Sequence, residues 1–258
     1  MSKFIDTLNR FSKGEPQGMG FTARQSASPK PKMQVVASLA AESAESLVGH
    51  LGGADVGLIS ISKLAAGAEA LQKLSQSLPD IILGGWLQGS NNADTNKLTK
   101  AGCDFIVFSA SQTPVTLMKG DDKTSKIIEV EASLTDSLLR TVNDLPVDAV
   151  LITGDEKTKQ LTWNHLMLFR RLSALLTKPL LAPVPSTVTA GELEALWEAG
   201  LSAVVIEIDS KQPADRLTKL RQEIDKIEFP SRRKSAGATV PRMSQPPNRK
   251  ADDDDEDE

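Results

Sequence analysis

Residues 178–210, KPLLAPVPSTVTAGELEALWEAGLSAVVIEIDS, carry the pattern that decides the fold. Leu180 to Val184 is a short apolar run, opened by Lys178-Pro179 and broken by Pro185-Ser186-Thr187. Thr189 with Glu192 three residues on is a capping box, which starts a helix by satisfying its first backbone N–H groups. Leu193, Leu196, Trp197 and Leu201 fall at i, i+3, i+4 and i+8 and make one apolar stripe. Gly200 supplies a stop, and Ala203 to Ile208 is a β-branched run of the kind found in buried parallel sheets. The stretch therefore predicts strand, helix, strand.

The same unit recurs on the N-terminal side. Strand-like apolar runs occupy 33–40, 55–61, 80–87, 103–109, 126–132, 147–153, 179–184 and 202–208. Helical stripes lie between them. Leu64, Ala68, Leu71, Leu74 and Leu78 make one, and Leu134, Leu138 and Val142 another. Leu161, Leu166, Phe169, Leu172 and Leu176 make a third, and Leu217, Leu220, Ile224 and Ile227 a fourth. The segments at 41–51 and 92–101 are weaker, and 113–120 reads as little more than a turn. Eight strands, each followed by a helix-sized segment, predict a (β/α)8 TIM barrel over residues 33–228.

An internal repeat agrees with this count. Gly53-Ala54-Asp55, Gly102-Cys103-Asp104, Pro146-Val147-Asp148 and Gly200-Leu201-Ser202 introduce every second strand, while Pro31, Pro79 and Pro179 announce three of the others. A glycine after a helix suits the left-handed cap position, and the aspartate can bond local backbone at the turn. No G-x-G-x-x-G follows any strand, which argues against an open dinucleotide-binding sheet.

The ends read differently. Phe4, Ile5, Leu8 and Phe11 share one helical face, either closing the base of the domain or docking on a partner or membrane surface. Residues 14–32 are an irregular connector, so 1–32 forms an N-terminal extension. Residues 229–258 are basic and Pro-rich, then acidic, and read as a disordered acidic C-terminal tail.

Of the 258 residues 40% are hydrophobic and only 4% aromatic, so aliphatic side chains must do most of the packing. The net charge of −4 rests on the seven acidic residues that end the chain, leaving the remainder about +3. Neither a nucleic-acid footprint nor a membrane-surface charge follows. The lone Cys103 excludes an internal disulfide and reads as a small core residue. There is no apolar run of the ~20 residues a membrane span needs and no secretory h-region at the N-terminus, so the expected location is cytoplasmic.

Strand alternation places candidate chemistry at the C-terminal ends of the strands, where such barrels carry their sites. On the fifth strand Glu129 and Glu131 turn inward, and on the eighth Glu207 and Asp209 do so. Buried carboxylates need partners, protonation or a metal. Glu129, Glu131, Glu207 and Lys63 are thus candidate catalytic residues, and Glu131, Glu207 and Asp209 candidate ligands of a divalent metal. Ser109, Ser111, Gln88, Ser186 and Thr187 are candidate ligand-binding residues. Pairing with Lys63 or solvation at the rim is the plainer explanation of the carboxylates. His50 and His165 fall in helical segments, away from the strand ends, as packing or surface residues. Nucleophile-elbow, Walker, H-E-x-x-H and C-x-x-C motifs are all missing.

The passage PLLAPVPSTVTAGELEALWEAGLSAVVIEI resembles the last two units of aldolase-type barrels, including ribulose-phosphate-binding and flavin-linked members. The resemblance implies a phosphate cradled by glycine-rich turns after strands seven and eight. Here those places hold Pro183-Val184-Pro185-Ser186-Thr187 and Glu207-Ile208-Asp209. Proline donates no N–H, and two carboxylates repel an anion, which leaves Ser186, Thr187 and a helix N-terminus for a weaker anion. The expected function is small-molecule binding at the strand ends. The alternatives are a metal-assisted metabolic enzyme of lyase or isomerase type, or a non-catalytic scaffold or assembly component.

Overall fold

The computed structural model describes residues 2–13, 32–89, 95–116, 124–154, 160–209 and 213–229. Most of the irregular connector and all but the first residue of the acidic tail lie outside these residues. Eight parallel strands close into a barrel in sequence order: β1 Gln34–Ala40, β2 Val56–Ile61, β3 Ile82–Leu87, β4 Phe105–Ser109, β5 Ser125–Glu131, β6 Ala149–Thr153, β7 Leu180–Pro183 and β8 Leu201–Glu207. The closing pair is β1 with β8, in register from Gln34 opposite Ala203 to Ser38 opposite Glu207. This is the expected (β/α)8 barrel.

Around it run α2 (Leu64–Ser77), α3 (Thr95–Lys100), α4 (Asp136–Thr141), α5 (Trp163–Leu175), α6 (Ala190–Ala199) and α7 (Arg216–Ile224), with α1 (Lys3–Lys13) before the barrel. After β1 the chain makes only a 3-10 turn at Val48–Leu51, in keeping with the weak pattern there. The stripe that decided the fold is buried throughout: Leu193, Leu196, Trp197 and Leu201 are all nearly inaccessible. Thr189 and Glu192 form the capping box, and Gly200 takes the left-handed cap at φ 113°. A Cβ there would also lie 2.3 Å from that of Ser173. In α4 the expectation needs correction, because Leu138 is half exposed and Leu139 is the buried leucine. The helix begins only at Asp136, so Leu134 precedes it and does not set its face. No helix among the described residues is long and apolar enough to cross a membrane.

The repeated aspartates have a mechanical role, although their partners are not the local turn. Asp55 accepts from the backbone N–H of Val35 at 2.9 Å, and Asp148 from that of Lys126 at 2.8 Å. Each thus ties the start of its strand to the start of the strand before it. Asp104 instead accepts from the N–H groups of Lys3 and Phe4 and from the Ser2 hydroxyl, so it caps α1 from a hundred residues away.

That contact sets α1 across the N-terminal end of the barrel. Phe4, Ile5 and Leu8 are buried among Val36, Val56, Phe105 and Ile127 of the bore, with the Phe4 and Phe105 rings 4.8 Å apart. Of the two expectations for this helix, closing the base is the one realised. Its side chains Phe4, Ile5 and Leu8 are part of the buried core. Phe229, assigned by composition to the tail, is buried too and meets the Trp197 ring at 5.2 Å.

Phe4→Ala should lower unfolding stability by ~3–5 kcal/mol, since it opens a void at the base of the bore. Leu193→Ala on α6 should cost ~2–5 kcal/mol by the same mechanism. Denaturant titration of the two variants checks both. A loss below ~0.5 kcal/mol at either position would remove that side chain from the core.

Candidate functional site

Alternation along the strands divides the bore into layers. Val36, Leu58, Val107, Ile127, Leu151, Leu181 and Val205 fill its middle, and Gly84 stands at the matching place on β3. A side chain at Gly84 would collide with the Phe105 ring at 2.2 Å, so glycine is what lets that ring enter the bore. Two residues further along, the next position of the eight strands holds Ser38, Ser60, Trp86, Ser109, Glu129, Thr153, Pro183 and Glu207. The chemistry changes within one layer. The middle layer is aliphatic, and in the next one six of the eight side chains are hydroxyls or carboxylates.

A cavity of about 540 Å³ opens over this layer. Ser38, Ser60, Trp86 and Gln88 line it on the β1–β3 side, and Val205, Glu207 and Asp209 on β8. The opposing wall is mostly apolar, from Ile152, Leu161, Leu168, Phe169 and Val184, with Thr153, His165 and Ser186 as polar groups. The volume lies within the ~300–1,000 Å³ usual for small-molecule sites, and the mixture of an apolar wall with few polar groups is also typical of them.

His165 is the residue that sequence reading missed. Its ring lines the cavity although it sits on α5. Helices of this fold run back down the barrel, so their first turns rise beside the strand ends. His165 is the third residue of α5, and its Nδ1 accepts from the Thr162 backbone N–H at 3.0 Å. An accepting Nδ1 puts the proton of the neutral ring on Nε2, which makes Nε2 a donor. The spacing Thr162-x-x-His165 ahead of an apolar stripe was the available signal, since a side chain at that place reaches back over the helix start.

The other expected residues separate into two groups. Gln88, Ser186, Glu207 and Asp209 line the cavity. Glu129 turns inward as expected and accepts from the Trp86 indole at 2.8 Å, while the exposed Glu131 accepts from Ser133 at 3.1 Å. Neither is part of the cavity wall. Ser109 and Ser111 pair with each other at 3.1 Å, also outside it. Thr187 is exposed, and Lys63 is exposed at the cap of α2, away from the cavity wall.

The expected metal ligands are not brought together. Among the described residues no three His, Cys, Asp or Glu side chains are grouped to hold an ion. Glu131 stands on β5, and Glu207 and Asp209 belong to β8 and its exit, with β6 and β7 between. Side-chain parity alone places residues on a face but says nothing of the distance around the barrel. Cys103 is a core residue as expected: its Sγ donates to the Phe105 carbonyl, and burial pushes the thiol up to about 12, so it stays protonated.

The loop after β7 is held by the start of α7. Arg216, the first residue of α7, donates from Nε to the Ser186 carbonyl at 2.7 Å and from Nη2 to the Val188 carbonyl at 2.8 Å. At the start of α6 the Glu192 carboxylate accepts from both the N–H and the hydroxyl of Thr189, each at 2.8 Å. The helix end that would attract an anion already holds a carboxylate.

No family model matches this chain, and no curated protein matches it. Many solved structures do. Three of the most similar are structures of the tryptophan synthase α-subunit from Pyrococcus furiosus, two of them mutants. Each shares 12% sequence identity, covers 77% of this chain and 98% of the subunit, and superposes with a TM-score of 0.59 or 0.60. The chain has the (β/α)8 barrel fold. At that identity the likeness concerns the fold alone.

The Trp86–Glu129 bond generates a test of how the upper layer is ordered. Glu129→Ala should lower stability by about 1–3 kcal/mol, because the half-buried indole N–H loses its acceptor. Glu131→Gln should change stability by less than ~0.5 kcal/mol, as an exposed side chain does. Urea unfolding of both variants reads the difference. Equal losses would mean that the two carboxylates share one environment.

Proposed function

We propose that this barrel binds a small organic molecule in the cavity at the C-terminal ends of its strands. The observation that carries the reading is the change from an aliphatic to a polar layer within the bore, directly below the 540 Å³ cavity. A bore filled only for stability would stay aliphatic to its rim, since each buried hydroxyl or carboxylate costs free energy unless it finds a partner. The strand-end location supports the same reading, because the loops there vary without disturbing the barrel.

The cavity offers two kinds of contact. Ile152, Leu168, Phe169 and Val184 suit an apolar body, while Ser38, Ser60, Gln88, Thr153 and the His165 Nε2 supply hydrogen bonds to a polar end. Two or three such bonds fix the orientation of a ligand whose affinity comes mainly from apolar contact. The described residues support binding more directly than metal-assisted turnover, because they assemble no metal-ligating group.

Val205→Trp tests the site itself. Val205 lies between the packed bore and the cavity, so an indole there fills the cavity floor. In a thermal-shift screen of a small-molecule library, a ligand at a hundredfold excess over its Kd adds ~2.7 kcal/mol to the wild type. That corresponds to roughly 5–10 °C for a domain of this size. The expected result is at least one such compound whose shift disappears in Val205→Trp. Shifts that persist in the variant, or their complete lack in the wild type, would refute the site.

A further inference from the structure

Resting on that binding reading, we infer that the cavity takes a ligand with a carbonyl oxygen beside an apolar body, and that His165 selects it by donating a hydrogen bond from Nε2 to that oxygen. The sense of this bond is decided outside the cavity. The Thr162 backbone N–H lies 3.0 Å from the His165 Nδ1. A backbone N–H can only donate, so Nδ1 is an acceptor and carries no proton. The Thr162 hydroxyl, 2.8 Å from the same nitrogen, is able to donate to it as well. Nδ1 is thus committed to closing the first turn of α5, and the proton of the neutral ring is left on Nε2.

Nε2 is the ring nitrogen remote from the helix start, on a ring that lines the cavity. Among the described residues His165 makes its hydrogen bonds through Nδ1. Its neighbours in the cavity wall from the same stretch of chain are Leu161, Leu168 and Phe169. None of those side chains accepts a hydrogen bond, so the Nε2–H turns to water or to an oxygen of the ligand. A ligand oxygen there replaces the water and keeps the bond. An apolar group at the same point removes the water and leaves the N–H unpaired, which costs affinity. That asymmetry lets one fixed donor discriminate between ligands of the same shape.

The hydroxyls of the opposite wall impose no such sense. Ser38 is only 6% exposed and lines the cavity from β1, with Ser60 contributed by β2. Each hydroxyl donates or accepts by rotating about its C–O bond, so it adapts to whatever the ligand presents. His165 cannot adapt in that way, because moving its proton to Nδ1 would break the bond to the Thr162 N–H. A carbonyl oxygen is the complement of such a donor, since it offers two lone pairs and has no proton to turn aside. The apolar body of the ligand then lies along Leu168 and Phe169, next to the group that holds the oxygen.

Acetophenone and ethylbenzene test this, because they share one body and differ by a C=O in place of a CH2. Ligand-observed NMR titration of the full chain at pH 7 gives the two affinities. Acetophenone is expected to bind at least about fivefold tighter in the wild type, the worth of one hydrogen bond, and within about twofold of ethylbenzene in His165→Phe. Long-range proton–nitrogen NMR correlation reads the tautomer directly in the unliganded wild type. The chain has two histidines, and the signals lost in His165→Phe assign the ring. The expected result is a proton on Nε2, with that nitrogen shifting when acetophenone is added. A proton on Nδ1, equal binding of the two probes, or a preference that survives His165→Phe overturns the inference while leaving the site. Failure of both probes to bind, or binding to Val205→Trp as tight as to the wild type, overturns the binding reading and the inference with it.

Discussion

An eight-stranded parallel barrel has a bore of fixed width, and every feature of this molecule follows from how that bore is filled. A chain poor in aromatics must fill it mainly with Val, Leu, Ile and Ala. Such side chains fill the middle layer, and the base is closed by larger ones. Two devices close it here. Phe105 swings its ring into the space that Gly84 vacates, and α1 lays Phe4, Ile5 and Leu8 over what remains. The aromatic content is low, yet two of the seven phenylalanines stand in this one place.

Filling from below determines where the site can be. Dense aliphatic packing ends at Leu58, Val107, Leu151 and Val205, and the next inward residues are short or polar. Serine at Ser38 and Ser60 is too small to close the bore, so empty volume collects at the rim and not at the base. The short side chains of Ser38 and Ser60 thus leave room at the cavity floor on the β1–β2 side. Its polarity has a separate origin in Glu207, Asp209, Gln88 and His165, none of which the packing requires.

The fold was legible because its signals are local. The capping box at Thr189 and Glu192, the stripe through Trp197 and the run from Ala203 to Ile208 each depend on residues no more than eight positions apart. Strand parity was legible for the same reason, and it placed Glu129 and Glu207 on the inner face. What could not be read was distance around the barrel, which depends on eight strands at once. Glu131 and Asp209 looked like neighbours on parity and belong to strands with two others between them. His165 was hidden because it reaches the site from a helix, and a histidine within a helical stripe has the same sequence appearance whether its turn rises beside a strand end or faces solvent. The contact of Phe229 with Trp197 was hidden by the change of composition just beyond it.

The three aspartates at the base show how one local motif acquires different work from its surroundings. Asp55 and Asp148 make the same bond, each to the N–H of the second residue of the preceding strand. The N-terminal end of a parallel strand exposes such donors, and leaving them unpaired at the closed base would cost free energy. Asp55 is further joined to α7 by Arg221 at 2.9 Å, so the last helix is fastened to the first strand pair. Asp104 occupies the same position before β4, and its carboxylate turns to the N-terminus of α1 instead. An anion placed at a helix N-terminus favours the helix and also directs where it docks. The electrostatics of the two ends thus run in parallel. At the base a carboxylate binds the start of a helix a hundred residues away, and at the mouth Glu192 caps the helix it belongs to, while among the described residues Glu207 and Asp209 are the carboxylates that line the cavity.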